Sequence, residues 1–162
     1  ADHLLLRHMG EADSAYPVYL RNEARMTSAY LAPSPVSLGL LARYGREGSA
    51  TVRRANFQVM HQRLAASNLL DLSLAEGSVP LCYPYLPASR GSVDRRALHR
   101  AGLFIPKFWE DVLRRPDPEG HFGREKHWSD QLLPLPIDQR YGPQDMEQML
   151  ERLLTVLESQ AR

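Results

Sequence analysis

The chain has 162 residues, 43% of them apolar and 24% charged, a globular balance with enough length to bury a sizeable core. A formal net charge of +1 argues against a dedicated nucleic-acid binder, and no apolar run approaches the roughly 20 residues of a membrane span. The single cysteine, Cys82, permits no internal disulfide, so a reducing, cytoplasmic setting is expected, with the thiol buried and inert.

Residues 3–9 read as a short helix closed by Gly10, and 11–25 as a polar, irregular stretch around Pro17. Helical spacing runs from Met26 to Tyr44 but is broken at Pro33 and Pro35. Two pieces are expected, the second capped by Ser34 with Pro35 in its first turn. A long amphipathic helix is expected over 45–67, with Val52, Phe57, Met60 and Leu64 inward. Arg46, Arg53, Arg54 and Arg63 would form its solvated face. Residues 69–74 alternate with period two and predict a strand; a turn follows at Gly77-Ser78. A second strand is predicted within 79–87, where Pro80 and Pro84 favour an edge. Asp94 should cap a helix over 95–101 that Gly102 stops. Residues 103–106 read as extended and 107–113 as one or two helical turns. Residues 114–130 read as a mobile polar loop. The third strand falls at 131–137, and Pro143 opens a helix lined by Met146, Met149, Leu150, Leu153 and Leu157.

The expected fold is therefore α+β: a small antiparallel or mixed sheet covered by helices on one face, preceded by long N-terminal helices. One domain is expected, helical over about 1–67 and α+β over about 68–162. Because the chain opens inside an apolar element and lacks an initiator Met, it reads as a fragment of something larger.

Few residues carry obvious chemistry. His121 and His127, with Glu119, Glu125 and Asp130, are of metal-ligating type, but no HExxH or comparable spacing accompanies them. No Gly-rich phosphate loop and no GxSxG is present. Phe104, Phe108 and Trp109 beside Lys107 could stack on bases, but they read first as core anchors under the 114–130 loop.

The segment "LLPLPIDQRYGPQDMEQMLERLL" (132–154) resembles the C-terminal end of the DegT/StrS-type sugar aminotransferases, which use pyridoxal phosphate (PLP). That family ends in a strand like "LPLPIHQRY" followed by a "DME" helix. "VRRANFQVMHQRLAA" (52–66) is similar to the family's R-x-x-N-x-x-x-Y-x-x-x-L helix, with Arg53 or Arg54 and Asn56 matched. "HRAGLFIPKFWEDVL" (99–113) and "NEARMTSAYLA" (22–32) resemble further stretches, all in the family's order. The resemblance implies the small C-terminal domain of the PLP-dependent transferase fold. The parent enzyme would be a homodimer moving an amino group onto a nucleotide-linked keto-sugar. It implies a large PLP-binding domain as partner, and neither nucleic acid nor membrane.

Departures from the family pattern bear on activity. The family's catalytic lysine lies upstream of every matched segment, and neither Lys107 nor Lys126 corresponds to it. No cofactor is therefore expected in this chain alone, and no catalytic residue. The family's Asn–aromatic–Arg motif, which helps to hold cofactor phosphate across the dimer, would fall on Asn22 and Arg25. Here Glu23 and Ala24 intervene, one residue too many and without the aromatic. The other reading of Asn22 is a cap at a helix entry. Two further classes stand beside the aminotransferase part: a stand-alone binding or dimerisation module of the same fold, and a small metal-dependent hydrolase built on His121 and His127.

Overall fold

The computed structural model describes residues 2–26, 32–43, 46–88 and 93–160. The chain forms two compact units, Ala1–Tyr44 and Gly45–Arg162. The second takes in the long helix that the sequence reading grouped with the N-terminal helical part.

In the first unit, α1 (Asp2–His8) and α2 (Ala12–Ala24) pack as a helical hairpin. Gly10 makes the turn with φ +84°, a conformation that glycine adopts without a Cβ penalty. The Glu11 amide donates to Leu6 O at 2.9 Å and the Gly10 amide to Arg7 O at 3.1 Å, which closes α1 in a Schellman motif. The irregular stretch expected at 11–25 is instead helix. Pro17 lies inside it. Its ring faces the carbonyl of Asp13, in the first turn, where the backbone is tethered on one side only and can tilt. Tyr19 donates its hydroxyl to Glu23 at 2.9 Å and stacks beside Tyr16. α3 (Pro35–Arg43) begins as predicted, with the Ser37 amide donating to the Ser34 hydroxyl at 3.1 Å. The helical piece expected before Pro33 falls largely outside the described residues.

The second unit holds the core. α4 (Arg46–Leu64) runs into a single 3₁₀ turn, Ala65–Ser67, and buries Phe57, Met60 and Leu64. β1 (Cys82–Tyr85) pairs antiparallel with β2 (Leu133–Pro136), and they form a two-stranded sheet. The register sets Tyr83 opposite Leu135 and Tyr85 opposite Leu133, and all four side chains are buried. Pro84 faces Pro134, and Cys82 faces Pro136. Since proline has no N–H, the ladder bonds fall at the tyrosine–leucine pairs, and the prolines sit where an amide would point away from the partner. Phe57 packs on Tyr83 with ring centroids 5.1 Å apart. α8 (Pro143–Gln160) lies against α4 and contributes Met146, Leu150, Leu153 and Val156.

The strand predicted at 69–74 does not form. Its alternation is real, since Leu72 and Leu74 pack on the core, but among the described residues it is tied to the chain just after β1 by a lone bridge, Asn68 to Pro87, and by the Leu69 amide donating to Leu86 O at 2.9 Å. The Asn68 side chain occupies the edge instead: its amide donates to Pro84 O at 2.9 Å and its oxygen accepts from Leu86 N at 3.0 Å. With Pro84 and Pro87 lacking donors, no ladder can extend there.

Between the strands lie three helices. Asp94 caps α5 (Arg95–Arg100) by accepting from Arg96 N at 2.8 Å, and Gly102 ends it with φ +76°. Residues 103–109 form no regular element, and α6 (Glu110–Arg114) follows. The long loop expected at 114–130 shrinks to 115–122, because α7 (Gly123–Gln131) fills its second half. Asp117 holds the remainder through the His121 and Phe122 amides, at 2.9 and 3.2 Å. Phe104 and Trp109, expected as core anchors, are exposed. Trp109 adopts a left-handed conformation, φ +54°, whose cost is offset by the buried Ser129 hydroxyl donating to the carbonyls of Phe108 and Trp109.

Leu153 is fully buried between α8 and the rest of the core. Leu153→Ala is expected to destabilise the second unit by about 2–5 kcal/mol, read from the midpoint of denaturant unfolding; an unchanged midpoint would mean that α8 is not docked through this stripe.

Candidate functional site

Two side chains one turn apart on α4 organise the region where the sequence is most distinctive. Asn56 is fully buried and donates its amide to Tyr141 O at 2.9 Å, Ile137 O at 3.3 Å and Asp138 O at 3.4 Å. Arg53 donates to Gln139 Oε1 at 2.9 Å and to the carbonyls of Pro80 and Leu81 at 3.2 and 3.3 Å. Arg54 donates to Ser78 O at 2.8 Å and Gly77 O at 3.1 Å. Arg53 and Arg54 therefore clamp the 77–81 loop and do not form the expected solvated face. Arg63 is half-exposed in a 3.7 Å pair with Glu147; the side chain of Arg46 lies outside the described set.

The turn that Asn56 grips carries its own ion pair. Arg140 chelates Asp138 through Nε at 2.8 Å and Nη2 at 2.9 Å. These bonds hold the Asp138 carboxyl below the usual carboxylate range, with burial opposing, and raise the Arg140 guanidinium further above its own. Gly142 then starts α8: its amide donates to Asp145 Oδ2 at 2.8 Å, half of a capping box, with Pro143 in the first helical position.

Beside this turn lies a half-open groove of about 200 Å³. Leu103, Ile105, Pro136 and Met149 contribute apolar lining, and Phe104, Tyr141 and Arg152 line it as well. Gly102 borders it, and a Cβ there would come within 3.2 Å of Arg152 Nη1.

The residues singled out from sequence do not assemble into a catalytic centre. Asn22 and Arg25 are both exposed in the first unit, one turn apart at the end of α2, so Asn22 is not a helix-entry cap. Lys107 Nζ lies 2.6 Å from Asp130 Oδ1, and that bond holds the Asp130 carboxyl below its usual range. Lys126 pairs with Asp117 at 3.5 Å. His121 is exposed beside Glu119 at 3.3 Å, and among the described residues no group of three His, Cys, Asp or Glu is placed to hold a metal. Cys82 is half-buried rather than buried, and burial pushes its thiol up, away from the nucleophilic thiolate. Both lysine amines are thus committed to carboxylates. Among the described residues no helix is long and apolar enough to cross a membrane.

Comparison with family models, curated proteins and solved structures yields no match.

Sequence reading passed over Arg152, took Gly102 only as the stop of a helix, and took Asn56 only as part of a motif. A signal for Asn56 was present. It interrupts the Val52–Met60 stripe at the four-residue spacing, and an amide on an apolar stripe must find buried partners.

Asn56→Ala is expected to cost about 1–3 kcal/mol, and Asn56→Asp more, since a carboxylate facing three carbonyls cannot donate. Equal unfolding midpoints for the two variants would show that the amide's donor role is unimportant. The depressed pKa of Asp138 makes a second prediction. Its stabilisation is present above the unfolded value of about 4 and is lost as pH falls through the lower folded value. Asp138→Asn should flatten the acid limb of a urea-midpoint profile between pH 6 and 2; an unchanged limb would exclude this pair as its source.

Proposed function

We propose that this chain is the small C-terminal part of a DegT/StrS-like, PLP-dependent aminotransferase whose parent transfers an amino group to a nucleotide-linked keto-sugar. One observation carries the reading. The segments that resemble the family at 52–66 and 132–154 are far apart in sequence, yet Asn56 and Arg53 of the first bond directly to residues 137–141 of the second. Two resemblances that arose by chance would have no reason to meet through the side chains that define them.

The first unit adds support for a missing partner. Of its described residues only Ala15 belongs to the buried apolar set, whereas Leu4, Leu5, Met9, Val36, Leu40 and Leu41 are exposed. Short helices gain most of their stability from packing an apolar face, so such a surface calls for cover. In this reading the cover is the large PLP-binding domain, within a homodimer. Cofactor and reactive lysine belong to that domain, and this chain alone is inactive; it supplies one wall of the cleft.

Mixed with PLP and reduced with borohydride, the chain is expected to take label only weakly, as Lys107 and Lys126 are both ion-paired. Complete labelling of one lysine would overturn the reading. Joined to the large domain of a DegT/StrS aminotransferase, it is expected to support PLP-dependent amino transfer that neither part shows alone. Failure of a folded fusion to do so would favour the stand-alone module.

A further inference from the structure

We propose that residues 110–128, which hold α6 and most of α7, are a flap that swings as one body about Trp109, with the Ser129 hydroxyl as its latch. Such a device needs neither cofactor nor parent enzyme and follows from how the segment is attached.

The segment adds nothing to the core. Ile105 packs on the core and Leu133 is buried in it, but no apolar side chain between those two does either. α6 buries no residue, and α7 buries only Ser129 and Gln131, at its end. The backbones of α6 and α7 lie near each other and, among the described residues, near no other helix or strand. The segment has its own cohesion. Lys126 pairs with Asp117 at 3.5 Å, Asp117 accepts the His121 and Phe122 amides, and Arg114 pairs with Glu110 at 3.7 Å. A piece tied to itself and not to the core is built to move as a unit.

Two stretches of chain, 105–109 and 129–132, form its neck, and three side chains stitch them together. Arg95, on α5, donates to Pro106 O at 3.3 Å and Leu132 O at 2.8 Å, which fixes the inner end to the body. Lys107 Nζ meets Asp130 Oδ1 at 2.6 Å one step further out. At the outer end the buried Ser129 hydroxyl shares its one hydrogen between Trp109 O at 2.9 Å and Phe108 O at 3.2 Å. That bond holds the residue that bears the strain. Trp109 is the non-glycine with a positive φ among the described residues, at φ +54° and ψ +41°. A bulky residue keeps this conformation only while its surroundings impose it. Without the latch, Trp109 relaxes to negative φ and re-aims α6, which begins at the next residue. Hinges are element-terminal positions of this kind, where one residue absorbs a large change of dihedral angle.

The chain's two tryptophans, Trp109 and Trp128, both line a slot at the flap's base with Phe108, Leu132 and Pro134, a space too narrow for water. Swinging parts them, so acrylamide quenching of their emission is expected to rise when the full chain carries Ser129→Ala. Spin labels separate swinging from unfolding. In a Cys82→Ala background, one pair joins flap to body (Glu119→Cys with Glu158→Cys), and a second lies within the flap (Asp111→Cys with Arg124→Cys). Ser129→Ala is expected to raise the population of a second flap-to-body separation roughly 10-fold, the usual effect of losing one hydrogen bond to a carbonyl. The pair within the flap should keep a single separation. Ser129 lies outside the apolar core, so the melting temperature should hold. An unchanged flap-to-body distribution overturns the hinge, whatever the melting temperature does. A second separation within the flap overturns it as well, because the segment then unfolds and does not swing.

Discussion

A single buried amide ties α4 to the turn that carries the chain from β2 into α8. A tight turn directed at a core brings carbonyl groups inward, and each would be left unsatisfied without a donor. The amide of Asn56 has two hydrogens and three carbonyls before it. Tyr141 O takes the short bond, and the longer contacts to Ile137 and Asp138 share what remains. The geometry that results places Gly142 and Pro143 at the start of α8. It thereby brings Met146, Leu150 and Leu153 into the core against α4. The Oδ1 of Asn56 is itself buried without a partner. That carries a desolvation cost, so the residue is better explained by the turn it fixes than by its own net stability.

The prolines of the sheet act as a boundary. Pro84, Pro134 and Pro136 leave the β1–β2 ladder whole because they occupy the outward-facing positions. For the same reason they deprive both outer edges of donors. Asn68 takes the remaining groups of β1, and the Arg95 guanidinium covers Leu132 O at 2.8 Å on the β2 side. A two-stranded sheet is ordinarily marginal. Here it is held by helices and by side chains that stand in for further strands, and its edges offer little for another chain to pair with.

Legibility in the sequence followed the range of the interaction. α8 was legible because its stripe recurs at three and four residues and Pro143 marks its start; β2 because it is apolar on both faces; the ends of α1 and α5 because glycine alone suits a left-handed cap. α7 was not legible, since its buried residues are Ser129 and Gln131, and a polar inner face leaves no hydrophobic period to read. α2 was hidden by Pro17. Segment 69–74 had a strand's alternation without a strand's partner, because Asn68 had taken the edge. Arg53 and Arg54 looked solvated because their acceptors lie more than twenty residues away, outside any local window. The groove was invisible for the same reason: it exists only once the α5 terminus, the end of β2 and α8 meet.

The same distribution of contacts bears on where chemistry can reside. The second unit is organised by groups already committed: its lysines to Asp130 and Asp117, Arg95 to the carbonyls of Ile105, Pro106 and Leu132, and Arg53 and Arg54 to a loop. A group held this way is a poor base or nucleophile, because its proton or charge is already stabilised by its partner.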